Sequence, residues 1–243
     1  MADASKTDVA LMFSGGVDST MCAVRLAKEF RKVHLLTYET GYGHFNFTKS
    51  ENRFRELQKI VGDKYVYTRI PIRNEWKKFV IDNLMDDYKK YRSGFIVCLG
   101  CKVLMHACTI KYARAHHITY SADGASGATG EMVEQMELSV SLFHWFYNDY
   151  GIEYLLPVYE RHREDSIRAL NEMGFYMGKR ILDRHLGIQP RCIRGELYYL
   201  PYLLFNKPPK HDERIIAQFM QDKMKQVKEM INEEGKNADM LRR

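Results

Sequence analysis

Ser14-Gly15-Gly16-Val17-Asp18-Ser19 places two glycines, two hydroxyls and a carboxylate within six residues. The apolar run Val9–Phe13 precedes it, and a helical stretch from Thr20 to Phe30 follows. A glycine-rich turn between a strand and a helix is a phosphate cradle. The glycines let the backbone approach an anion, and the helix N-terminus offers it N–H groups and positive dipole. The spacing is not that of the common NTPase loop, and no lysine is placed to reach phosphates. Asp18 is a hard oxygen ligand of the kind Mg²⁺ prefers.

A second group is Cys98-Leu99-Gly100-Cys101, with Lys102 behind it. Two sulfurs at this spacing can share a metal ion or cluster, or form a redox pair, and a neighbouring lysine can lower a thiol pKa. The chain has no second Cys-x-x-Cys, which argues against a complete zinc site. The separated partner is Cys192, between Arg191 and Arg194. Gly100 places the pair in a loop. Cys22 and Cys108 fall inside helices and read as core. Five cysteines, an odd number, argue against a disulfide framework. His116-His117 reads as a helix C-terminal cation. Glu131, Glu134 and Glu137 share a helix that could line a site, with Glu134 and Glu137 expected to face water. Trp76 and Trp145 read as core.

The elements that position these groups alternate regularly. Strands are expected at Val9–Phe13, Val33–Tyr38, Tyr65–Ile70, Ile118–Ala122 and Tyr154–Val158. Helices are expected at Thr20–Phe30, Asn46–Val61, Glu75–Tyr91, Lys102–His116, Met132–Tyr147 and Ser166–Met173, followed by Met177–Leu186 and Asp212–Glu234. Alternation of this kind implies βαβ crossovers and a doubly wound parallel α/β sheet of about five strands, with helices on both faces. Ligands in such sheets bind beyond the C-terminal strand ends. Ser14–Ser19, Glu39–Phe47 and Asp123–Gly130 gather there. The alternation stops after Gly174. The expected organisation is a domain over residues 1–175 and a helical C-terminal extension over 176–243 carrying Cys192.

The Ser-Gly-Gly-x-Asp-Ser loop in this setting resembles that of the PP-loop (N-type) ATP pyrophosphatases, which have an adenine nucleotide α-hydrolase-like fold. The resemblance implies that ATP is split into AMP and pyrophosphate as a substrate oxygen is adenylated. It assigns ATP binding to Ser14, Gly15, Gly16, Val17, Asp18 and Ser19, with Asp18 holding Mg²⁺. It also brings Tyr38 to the adenine and Gly124 near the α-phosphate. Cys98, Cys101 and Cys192 behind such a loop resemble the iron–sulfur sulfurtransferase branch, which includes tRNA-thiolating enzymes. In that branch three cysteines hold a [4Fe-4S] cluster whose open iron carries sulfide. The resemblance therefore implies an ATP-dependent sulfurtransferase with catalytic Asp18, Cys98, Cys101 and Cys192, acting on a tRNA base or a small carbonyl compound. Its sulfur donor would be sulfide or a protein persulfide. Alternatives are a persulfide relay without a cluster, an ammonia-using ligase and a non-catalytic adenine-nucleotide sensor. Too few cysteines remain for the zinc-finger ends of one tRNA-thiolating branch, or for the four-cysteine zinc site of the deazaguanine nitrile synthases.

Bulk properties set the frame. At 243 residues and 45% hydrophobic content the chain can bury a sizeable core. The net charge of +6 permits contact with a polyanion without requiring it. Arg161–Arg194 carries eight basic against four acidic residues. No uninterrupted apolar run spans a membrane, and the first residues lack a signal-peptide apolar segment, so the expectation is a cytoplasmic protein without membrane contact. The last helix leaves a homodimer open.

Overall fold

The computed structural model describes residues 7–127, 132–177, 189–205 and 209–240. The first strand, β1 (Asp8–Met12), is buried on both faces. Val9 and Leu11 join one core, and Ala10 and Met12 the other. That is the period-two alternation of a strand covered on both sides. Helix α1 (Val17–Glu29), strand β2 (Lys32–Glu39), helix α2 (Thr48–Val61) and strand β4 (Tyr65–Pro71) follow in βαβ order, with the two-residue strand β3 (His44–Phe45) after β2.

The expected helix over Glu75–Tyr91 is broken into α3 (Arg73–Trp76), a π-helical turn (Lys77–Ile81) and α4 (Leu84–Tyr91). Then come α5 (Ile96–Ala115), β5 (Tyr120–Asp123), α6 (Glu137–Asn148), β6 (Glu153–Leu155) and α7 (Arg163–Glu172). The C-terminal part adds β7 (Arg191–Cys192), α8 (Ile193–Tyr198), α9 (Leu200–Phe205) and α10 (Glu213–Met240). The expected helix Met177–Leu186 lies, beyond its first residue, outside the described residues.

The main sheet runs β4–β2–β1–β5–β6, with every pairing parallel. The doubly wound five-stranded α/β sheet expected from the sequence is what forms. The strand order reverses between β1 and β5, so the loops leaving these strands diverge and open a crevice. Helices α1 and α7 pack together on one face. Helices α5, α6 and α10 pack on the other, with Ile216, Phe219 and Met220 of α10 fully buried.

Two expectations are corrected here. Cys98 and Cys101 lie inside the first turns of α5 rather than in a loop. The absent side chain at Gly100 lets the Phe219 ring and Val80 pack against the helix, at 3.5 and 3.7 Å from where a Cβ would stand. Tertiary packing thus overrides the helix-weakening effect of glycine. Trp145 is 68% exposed and is not part of the core. By length and composition α5 is apolar enough to cross a membrane, but it is a central core helix with Leu99, Val103, Leu104 and Ile110 buried.

Candidate functional site

The glycine loop follows β1 at the point of strand-order reversal. Gly15 takes a positive φ of 74°, and a Cβ there would stand 2.9 Å from the Ser50 backbone of α2. Only glycine satisfies both the dihedral and the space. Helix α1 starts at Gly16 with no side-chain cap among the described residues, so its first amides face the crevice. Ser14 Oγ lies 3.1 Å from Ser19 Oγ and accepts from the Gly16 amide at 3.3 Å. Gly124 closes the crevice from β5. A Cβ on it would stand 2.8 Å from the Ser19 amide nitrogen, so the two loops touch because residue 124 has no side chain.

Above these loops is a cavity of about 510 Å³, within the range of small-molecule sites. Ser14, Gly16, Asp18, Ser19, Tyr38 and Gly124 line it; Gly15 and Val17 do not. Val17 is buried, and Gly15 packs against α2. The Tyr38 phenol is 2.7 Å from Thr109 Oγ1 and buried, which fixes its ring in the cavity wall.

The charges in the cavity come from distant segments. Arg163 Nη1, at the start of α7, donates to Asp18 Oδ2 at 2.5 Å. Burial pushes the Asp18 carboxyl above its ordinary range, and Arg163 opposes that rise. Lys102 Nζ lies 2.6 Å from Asp123 Oδ2. Burial raises the Asp123 carboxyl, but Lys102, His106 and the Tyr154 hydroxyl together hold it below the ordinary value. His106 is fully buried, accepts or donates at Nδ1 to the Tyr147 hydroxyl at 3.0 Å, and stacks on Phe143. Burial pushes the pKa of its imidazole well down.

The three cysteines lie beside segments that line this cavity, though none of them lines it. Cys101 directly precedes the lining residue Lys102. Cys192 pairs in register with the lining residue His44, through the antiparallel β3–β7 ladder. Cys98, Cys101 and Cys192 are half-buried and lie within electrostatic reach of one another, of Glu134 and of Arg194. Burial pushes the Cys101 thiol up to about 12 and the Cys98 thiol higher still. The expected lowering by Lys102 is thus overturned. Its ammonium pairs with Asp123, and desolvation governs the thiols. Glu134, expected to face water, instead accepts from the Tyr199 hydroxyl at 2.9 Å beside Cys98. Glu131 lies outside the described residues. Cys22 is fully buried, as expected, whereas Cys108 is half-buried.

Arg194 ties these segments together. Its guanidinium stacks 4.0 Å over the Trp76 ring, donates to Thr40 Oγ1 at 3.1 Å, and donates to the Tyr42 carbonyl. Trp76 is fully buried.

Three thiols in one place are a donor set of the kind that holds an iron–sulfur cluster. In this conformation, among the described residues, no three His, Cys, Asp or Glu side chains stand close enough together to hold a metal ion. The sulfurs are gathered but not at ligating geometry.

Sequence reasoning missed Arg163, Gln189, His44 and Arg194. The basic stretch Arg161–Arg194 was the available signal for the arginines. Gln189 carried none, and His44 fell within Glu39–Phe47, a segment expected at the strand ends, without being singled out.

No family model matches the chain, and no curated protein matches it significantly. A solved 4-thiouridine synthetase in complex with RNA and bound ATP superposes with a TM-score of 0.58 at 13% identity, covering 93% of this chain and 53% of that one. The chain thus spans about half the length of that enzyme. A U34-tRNA thiolase, NcsA, from Methanococcus maripaludis with its [4Fe-4S] cluster gives 0.48 at 15% identity over 93% and 74%. A predicted subunit of tRNA methyltransferase from Methanocaldococcus jannaschii gives 0.41 at 18% over 68% and 76%.

Proposed function

We propose that this chain, which has the fold of the PP-loop ATP pyrophosphatases, is an ATP-dependent sulfurtransferase that adenylates a carbonyl oxygen and replaces it with sulfur. The observation that carries the reading is the adjacency of loop and thiols. Ser14, Gly16, Asp18, Ser19 and Arg163 line one cavity, and Cys98, Cys101 and Cys192 lie within reach of one another beside segments that line it, Cys101 preceding Lys102 and Cys192 opposite His44.

In this reading the triphosphate lies over Ser14–Ser19, where the α1 amides and both serine hydroxyls face it. Asp18 holds Mg²⁺ against the phosphates, and Arg163 turns from Asp18 to the charge that builds on the leaving pyrophosphate. The substrate oxygen attacks the α-phosphorus and pyrophosphate departs. Sulfur delivered at the thiols then attacks the activated carbon, and AMP leaves with the oxygen. Activation is needed because a carbonyl oxygen is a poor leaving group and AMP a good one. Sulfide can serve directly as the donor; with a protein persulfide, the outer sulfur attacks and a second thiol then cleaves the S–S bond, leaving as a disulfide with the donor cysteine. A [4Fe-4S] cluster, implied by the sequence resemblance, would be held by Cys98, Cys101 and Cys192. In this conformation the trio is not at ligating geometry.

The substrate class proposed is an RNA base. The net charge of +6 suits it, as does the 4-thiouridine synthetase of like fold, which was solved with RNA and ATP. The test is pyrophosphate release and thionucleoside formation with ATP, Mg²⁺, sulfide and bulk tRNA. Wild type is expected to give both. Cys192→Ala is expected to keep pyrophosphate release and lose thionucleoside. Retained sulfur incorporation without Cys192 would overturn the role of the thiol cluster. Absence of pyrophosphate release with any carbonyl substrate would overturn adenylation.

A further inference from the structure

The carboxamide of Gln189 lies on the glycine loop. Its Oε1 accepts a hydrogen bond from Ser14 Oγ at 3.2 Å. It also sits so close above Gly16 that a methyl group on that residue would overlap it. An oxygen carrying partial negative charge thus stands at the N-terminus of α1, where a phosphate oxygen would be held. Gln189 and Pro190 line the cavity together with Ser14, Gly16, Asp18 and Ser19. Two residues beyond Pro190 is Cys192, in the ladder with His44, and the Ile193 amide then donates to the Gly43 carbonyl at 3.0 Å. The segment Gln189–Cys192 is therefore a strap. One end rests in the phosphate cradle and the other carries one of the three thiols.

We infer that Gln189 is a built-in occupant of the phosphate cradle, displaced by nucleotide, and that its release lets Cys192 close on Cys98 and Cys101. The inference rests on the function proposed above for the cradle. Two observations meet in it. The cradle holds a side-chain oxygen that cannot coexist with a phosphate oxygen at the same place. The three thiols interact, yet stop short of a closed set. The strap is the covalent link between those two facts. A two-residue ladder on β3, the Ile193 amide and the Arg194 guanidinium hold its Cys192 end, and three residues of chain connect Gln189 to that sulfur.

The experiment uses the full chain and two variants with opposite expectations. Gln189→Ala removes the occupant. Gln189→Glu replaces it with a carboxylate, which the helix N-terminus holds more strongly. Affinity for Mg²⁺ with a non-hydrolysable ATP analogue is measured by calorimetry. Closure is measured as the rate at which diamide traps a disulfide between Cys192 and Cys98 or Cys101, read by peptide mass spectrometry.

Gln189→Ala is expected to bind the analogue about fivefold more tightly, as follows from losing one competing hydrogen bond of typical net strength. It should also trap at least threefold faster than wild type before any nucleotide is added. Gln189→Glu should bind more weakly and trap no faster than wild type. In wild type the analogue should bring the trapping rate up to that of Gln189→Ala. Weaker binding by both variants would make Gln189 a structural or nucleotide-contacting residue and overturn the inference. So would equal trapping rates in wild type and Gln189→Ala without nucleotide. If neither protein binds the analogue, the proposed function fails, while the nucleotide-free trapping comparison still decides whether the strap restrains Cys192.

Discussion

Arg163 and Asp18, separated by 145 positions in the chain, meet at 2.5 Å in the wall of the cavity. Asp18 is placed by the turn into α1, and Arg163 by the first turn of α7. The packing of α1 against α7 brings them together. Asp18→Asn is expected to reduce pyrophosphate release by about two orders of magnitude or more, the usual scale for removing a group that stabilises developing charge. Retention of more than a tenth of wild-type release would remove Asp18 from the mechanism.

The same pair predicts a pH effect. Burial already raises the Asp18 carboxyl, and Arg163 holds the rise back. Arg163→Met removes that restraint, so the carboxyl takes up its proton at a higher pH than in wild type. In the proposed reaction the ionised form is the one that binds Mg²⁺. The acid limb of the pH–rate profile should therefore move to higher pH in Arg163→Met, with the alkaline limb unmoved.

Gly124→Ala is expected to damage nucleotide binding through the backbone. Its methyl group would meet the Ser19 amide nitrogen at 2.8 Å and Cα at 3.0 Å, and neither atom can rotate away. Overpacking of this kind costs about 1–3 kcal/mol. The melting temperature should fall, and nucleotide affinity should fall with it, because Ser19 belongs to the cradle. A variant with lowered melting temperature and unchanged affinity would show that the β5 loop does not shape the cradle.

Acid should destabilise the fold through His106. Burial holds this imidazole neutral, with a pKa well below its ordinary 6.5. Between the folded and unfolded pKa values the unfolded chain binds more protons, so stability rises with pH there. The stability is fully present above about pH 6.5 and declines as pH falls below it. Denaturant unfolding at pH 7.5 and 5.5 should show a loss in wild type that is smaller in His106→Phe.

Arg194→Lys tests the clamp beside Cys192. A lysine cannot stack on Trp76 while donating to both Thr40 Oγ1 and the Tyr42 carbonyl, as the planar fork does. The β3–β7 ladder should loosen, and alkylation of Cys192 by iodoacetamide should accelerate severalfold. An unchanged rate would place the restraint on Cys192 elsewhere.

The sheet was legible because each buried strand is an apolar run ending at a turn, and because strands and helices alternate. The turn into α1 was legible because glycine and hydroxyl spacing encodes local geometry within six residues. The Cys-Leu-Gly-Cys segment was misplaced because the glycine serves the packing of Phe219, a partner 119 positions downstream that no local pattern reveals. The β3–β7 ladder is too short for any periodicity to show. Gln189 and Arg194 act through single long-range contacts. The π-helical turn at Lys77–Ile81, which leaves Trp76 at the end of α3, follows a sequence that reads as ordinary helix.

The long reach of these contacts bears on how the protein is made. The hydroxyl that meets Gln189 precedes it by 175 residues, and the carboxylate that meets Arg163 precedes it by 145. Contacts of such high sequence separation form late and slow folding. At ribosomal speeds of ~5–20 residues per second, the cradle waits on the order of ten to thirty seconds for its partners to be synthesised. A nascent chain ending before Arg163 carries the glycine loop without the guanidinium over Asp18 and without Cys192. The loop carboxylate and the thiol cluster are therefore completed by the same late stretch of chain, Arg163 to Cys192.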